Sequence, residues 1–146
     1  MQTRTDPGTN LDASLAPLDP RLVISGLWTA MLFVFAYVDI FTFFRADVIE
    51  GALAGEVSGA GFEIDQVFLA LTTLYILVPS LMVAATLVLP QRINRPLNLV
   101  VAPVYILTIV ASMVGESWVY YLMGSVVEVV LLGCIVLAAR KLQPGR

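Results

Sequence analysis

The chain has 146 residues, of which 59% are hydrophobic and 13% charged, with a mean hydropathy of +0.90 and a formal net charge of −3. Soluble domains run about 45–50% apolar and about 25% charged, so this balance excludes an ordinary water-soluble globule and points to one membrane domain. Histidine is absent and Cys134 is the single cysteine, which excludes disulfide frameworks, thiolate zinc sites, His-ligated haem and the His-containing zincin motif.

Residues 1–21 are polar, with Pro7, Pro17 and Pro20 and more acids than bases, and read as a disordered cytoplasmic tail. The apolar run that follows, 22–44, is too long for the 7–15-residue core of a signal peptide and lacks an A-x-A site, so it is expected to remain as an anchor. Asp19-Pro20 supplies its N-cap and first-turn proline. The loop 45–66 carries Asp47, Glu50, Glu56, Glu63 and Asp65 against Arg45; it reads as a solvated acidic loop of about 20 residues, with a short helix over 46–53 and a turn at 58–61. The second apolar run is 67–89, the third 97–114 and the fourth 118–139, followed by a tail at 141–146. Each run is long enough for the roughly 17–25 residues that span a bilayer. Backbone polar groups in hydrocarbon must be satisfied within the segment, so the fold class is all-α, an integral membrane four-helix bundle. The connections at 90–96 and 115–117 are short, which makes the last two helices an antiparallel hairpin. Cys134 lies within the fourth run and reads as a small hydrophobe.

Charge placement gives the direction. Arg4, Arg21, Arg92, Arg95, Arg140, Lys141 and Arg146 fall on one side of a four-span arrangement and only Arg45 on the other. By the positive-inside rule both termini are expected in the cytoplasm, the protein being multi-pass in a cell (inner or plasma) membrane. Phe41, Phe43 and Phe44, then Trp118, Tyr120 and Tyr121, form an aromatic belt at the outer ends.

Two acids lie inside the spans, Asp39 and Glu128. An acid at mid-helix costs about 2.5–3.5 kcal/mol on insertion scales, so such residues face the bundle interior and mark candidate sites. At about 1.5 Å per residue, Asp39 lies roughly 7–8 Å below its outer end and Glu128 roughly 15 Å below its own. Two polar layers are expected: an outer one with Asp39, Thr72, Thr73, Thr108 and Ser125, and a central one with Glu128, Ser80 and Tyr105. Tyr121, Gly124, Ser125 and Glu128 share one helix face. Pro79 and Pro103 free the carbonyls of Tyr75 and Leu99, which are candidates to help Glu128 hold a cation or a proton-carrying water. Asn94, Arg95 and Asn98, at the inner start of the third helix, are candidates for a lipid or partner contact.

Tyr37-Val38-Asp39-Ile40-Phe41-Thr42-Phe43-Phe44, Pro79…Met82, Asn94-Arg95-Pro96-Leu97-Asn98 and Glu128-Val129-Val130 occur in that order. Over about residues 22–140 the chain resembles a family of small bacterial four-helix membrane proteins of unknown function. Members of that family carry Pro-Gly after the aromatic run and a Glu two residues before the second-helix proline, where this chain has Arg45-Ala46 and Leu77. The resemblance therefore implies fold and location but neither a three-carboxylate cluster nor an activity.

Two functions fit these residues. The first is a small proton- or cation-coupled transporter or permease built on Glu128. The second is a non-catalytic subunit or scaffold that packs against another membrane protein, whereas the transporter could act as a homodimer. An enzyme is not expected, since no catalytic constellation is present, and neither a cofactor, a metal nor a nucleic acid is implied as a partner. The lipid bilayer is.

Overall fold

The computed structural model describes residues 18–59 and 61–142; the expected tails over 1–17 and 143–146 lie outside the described residues. Among the described residues five helices follow one another: α1 Pro20–Thr42, α2 Ala46–Ala54, α3 Gln66–Val88, α4 Gln91–Ser112 and α5 Val119–Arg140. The four long ones are each long and apolar enough to cross a membrane. The all-α class holds, and the protein is a multi-pass membrane protein.

The local chemistry of the ends explains the boundaries. Asp19 accepts from the Arg21 N–H at 2.9 Å, with Pro20 in the first turn of α1. Asp65 caps α3 by accepting from the Phe68 N–H at 2.7 Å. The short helix α2 ends at Gly55, whose φ of 77° is the left-handed conformation that closes helices and suits glycine. Beyond it, Val57 N–H donates to the Phe62 carbonyl, folding the loop back on itself.

The largest departure from expectation is the start of α4. The helix begins at Gln91, six residues before 97, and takes Pro96 inside it. Pro96 removes one backbone donor, but Asn94 and Asn98 hydrogen-bond around it and hold the turn helical. The connection to α3 shrinks accordingly to Leu89 and Pro90, and Pro90 forces Leu89 into extended backbone.

Helix α1 packs along α3 on one side and α5 on the other, and α5 packs along α4. Helices α3 and α4, although adjacent in the chain, have little backbone contact. Leu18 and Pro20 sit in one groove with Ala138 and Lys141, so the two ends of the described chain share one end of the bundle. The core centres toward this termini end, where Ile24, Trp28, Leu132, Ile135 and Ala139 are fully buried. Helix α3 buries only Pro79, Met82 and Thr86, leaving Leu71, Leu74, Leu77 and Leu81 exposed. In water so large an apolar surface would aggregate; in a bilayer it meets acyl chains.

Candidate functional site

The indole and amide side chains at the termini end satisfy one another, while the buried Thr86 hydroxyl has no hydrogen-bond partner among the described residues. The Trp28 Nε1–H donates to Asn98 Oδ1 at 2.8 Å. The Asn98 amide donates to the side-chain and backbone oxygens of Asn94 at 2.6 and 2.9 Å, and the Asn94 amide donates to the Thr86 carbonyl at 2.7 Å. Ser25 adds a hydroxyl bond to the Val83 carbonyl at 3.0 Å. This chain of donors ties α1, α3 and α4 together. Asn94 and Asn98 are therefore not a lipid or partner contact: both are 0% exposed and spend their amides on the bundle itself. Arg95 between them is half-buried.

The opposite, loop end is built differently. There a cleft of about 240 Å³ opens between four helices. Helix α1 contributes Phe35 and Asp39, α3 Tyr75, α4 Thr108 and Ser112, and α5 Tyr121, Ser125 and Glu128. The spacing of Tyr121, Ser125 and Glu128 along one face of α5 puts all three on it. Gly124, next on that helix, turns instead to α1, where an added Cβ would overlap the Val38 side chain. It is the point of close approach between the two helices.

Glu128 is 3% exposed, and its Oε1 has no hydrogen-bond partner among the described residues. Asp39 is exposed at the edge of the same cleft. Asp39, Thr108 and Ser125 of the expected outer layer line the same cleft as Glu128 of the central one. Four residues expected in those layers do not line the cleft: Tyr105, which is buried in the core, and three on α3. Thr72, Thr73 and Ser80 are exposed on the lipid side of α3, and each hydroxyl donates to a carbonyl of its own helix, that of Phe68, Leu69 or Ile76, at 2.8–2.9 Å. A hydroxyl so satisfied crosses hydrocarbon without facing a neighbour. The Tyr75 carbonyl that Pro79 frees accepts from Tyr105 Oη–H at 2.5 Å, which takes up one of its two lone pairs.

Sequence reasoning missed Phe35, Tyr75 and Ser112 in this cleft. Thr108 and Ser112 stand four apart on one face of α4, the one signal that pointed there. Hydroxyl pairs close the walls: Tyr75–Thr108 at 2.7 Å between α3 and α4, Tyr121–Ser112 at 2.9 Å between α4 and α5, and Thr42–Tyr120 at 3.0 Å between α1 and α5.

Beside the cleft, Arg45 fastens the end of α1 to the α4–α5 turn. Its guanidinium bonds Asp47 at 2.7 Å and Glu116 at 3.0 Å, and its Cζ lies 4.7 Å from the Trp118 ring centroid. The other Glu116 oxygen accepts from the Ser117 and Trp118 N–H groups at 2.8 and 3.1 Å. Desolvation pushes the Glu116 carboxyl upward, but those N–H donors and the guanidinium outweigh it and hold the group below the usual carboxylate range. The hydrogen bond from Arg45 holds Asp47 below that range as well, and the same bond raises Arg45.

Residues 19–143 match the model of one protein family. The chain belongs to DUF6326, a family of unknown function. The expected membership of a family of unknown function holds, and the match begins three residues before the expected 22 and ends three after 140. No curated protein and no solved structure matches the chain.

Proposed function

We propose that this protein is a small transporter or permease of the cell membrane, with both termini cytoplasmic, in which Glu128 takes up a proton or cation at the base of the loop-end cleft. The observation that carries the reading is the buried Glu128 with an unpartnered carboxylate oxygen, in a cleft it shares with Asp39. A buried polar atom without a partner costs about 1–3 kcal/mol, and an intramembrane acid held at such a cost is accounted for when it serves a ligand. The Lys and Arg distribution supports the orientation, which turns the cleft away from the cytoplasm. The packed termini end closes its base, so turnover requires that end to part. No catalytic step is assigned, since the lining offers two carboxylates and hydroxyls with no neutral base beside a nucleophile.

The test is proton flux into pyranine-loaded proteoliposomes under an imposed membrane potential. Glu128→Gln is expected to lower flux to the protein-free background while leaving helicity and elution volume unchanged; flux equal to that of the unaltered protein overturns the assignment. A second reading, a non-catalytic subunit or scaffold, draws support from the apolar groove of about 590 Å³ between α1 and α5 that includes Phe33, Tyr37, Phe41 and Met123. A stoichiometric membrane-protein partner in mild detergent, together with background flux from the unaltered protein, would favour it.

A further inference from the structure

The hydroxyl groups around the cleft restrict what it can hold. Each carries one proton, and most of those protons are already committed. Ser112 Oγ–H donates to the Ile109 carbonyl at 2.8 Å, so the bond from Tyr121 uses the tyrosine's proton. Thr108 Oγ1–H donates to the Tyr105 carbonyl at 2.9 Å, so in the 2.7 Å bond with Tyr75 the tyrosine again gives its proton. The phenol oxygens of Tyr75 and Tyr121 are left with lone pairs, beside the carboxylates of Asp39 and Glu128. Ser125 alone among the lining hydroxyls has no donation to another described residue, and the lining has no Lys, Arg or amide side chain. The cleft is rich in acceptors and poor in donors. An anion, or a ligand with acceptors only, would meet unpaired lone pairs and negative charge.

Among ligands that donate, the shape decides. The cleft lining carries two carboxylates and five hydroxyl oxygens, and four of these hydroxyls hydrogen-bond one another or the helix backbone. The described residues hold no group of three or more His, Cys, Asp or Glu, whereas hard cations take six or more oxygen ligands. A volume of about 240 Å³ exceeds what a bare proton site needs. Phe35 and Tyr75, with ring centroids 5.9 Å apart, form one aromatic wall, and aromatic faces attract organic cations. Resting on the transport reading of the same cleft, we infer that its ligand is a small organic ammonium ion, with the N–H donors on Glu128 and Asp39 and the hydrocarbon part against Phe35 and Tyr75.

The test uses the full-length protein in detergent micelles and follows covalent labelling of Glu128 by dicyclohexylcarbodiimide, which reacts with protonated carboxyls in apolar surroundings. Ethylammonium is expected to slow labelling several-fold, with sodium and potassium at equal ionic strength without effect. Asp39→Asn, at the exposed edge where folding is not at stake, should weaken that protection about threefold, the scale of a partly exposed charge pair. Equal slowing by sodium would overturn the organic ligand and keep the cation reading. Labelling that responds to pH but to no added cation would overturn it in favour of a proton alone. Glu128 that is not labelled under any condition would overturn both, because the carboxyl would not be reachable from the cleft.

Discussion

The two ends of this bundle treat buried polarity in opposite ways. At the termini end, Trp28, Asn98, Asn94 and the Thr86 carbonyl pass hydrogen bonds from helix to helix in a core closed by Ile24, Leu132 and Ile135. At the loop end, a carboxylate just as deeply buried is left unpartnered in a cleft whose hydroxyls donate to the walls. Polar groups inside a membrane domain thus separate into those that hold helices together and those that are kept for something else. Neither burial nor a missing partner tells them apart, since the Thr86 hydroxyl is buried and unpartnered in the closed core; what sets Glu128 apart is an ionisable group lining a cleft.

The comparison breaks if substitutions at the closed end do not cost stability. Trp28→Ala removes a fully buried ring and strands the Asn98 oxygen. A loss of about 3–5 kcal/mol is expected, read as a large fall in thermal unfolding midpoint in detergent. Gly124→Ala acts on the α1–α5 contact beside the cleft. The new methyl meets the stiff Val38 side chain, and the strain is expected to cost about 1–3 kcal/mol by the same measurement.

Acidification acts on the open end. Asp47 and Glu116 have native values below the ordinary carboxylate range, so their contribution is full above that range and is lost as pH falls through the native values. The Arg45 latch should release only as pH falls below the ordinary carboxylate range and through those lower native values. Acrylamide should then quench Trp118 more strongly while Trp28, which is 0% exposed, stays protected; unchanged quenching would mean the latch is not electrostatic. The smallest effect sharpens the contrast: Thr73→Val and Ser80→Ala, facing lipid with their hydroxyls bonded only to their own helix, should each shift stability by no more than about 0.5 kcal/mol and leave any flux unchanged.

Much of this was legible in the residues. Four apolar stretches and the fold class follow from length and composition, and the helical period of α5 put Tyr121, Ser125 and Glu128 on one face. The pairing of distant side chains was not legible. Asn94 and Asn98 look like a polar patch at a helix start because nothing local shows that Trp28, 70 positions from Asn98, brings its donor to them. Thr72 and Thr73 match Asp39 in depth yet face away from it, since depth fixes height along the axis and not the side of the helix. The early start of α4 was hidden by Pro96, which ordinarily breaks a helix and here is bracketed by the asparagine bonds.

The sparse contact between α3 and α4 has a mechanical consequence. Between these helices, at the height of the cleft, the wall is the Tyr75–Thr108 hydroxyl pair, the Tyr105 bond to the Tyr75 carbonyl and the contact of the Tyr75 and Tyr105 rings, whose centroids are 4.7 Å apart; the ring contact adds about 0.5–1.5 kcal/mol. Breaking such bonds costs about 0.5–1.5 kcal/mol each, whereas parting α1 from α5 would undo a packed seam along both helices. Immediately outside lies an apolar groove of about 380 Å³ lined by Leu71, Leu74, Val100 and Val104. The softest door of the bundle therefore faces sideways, onto the acyl chains.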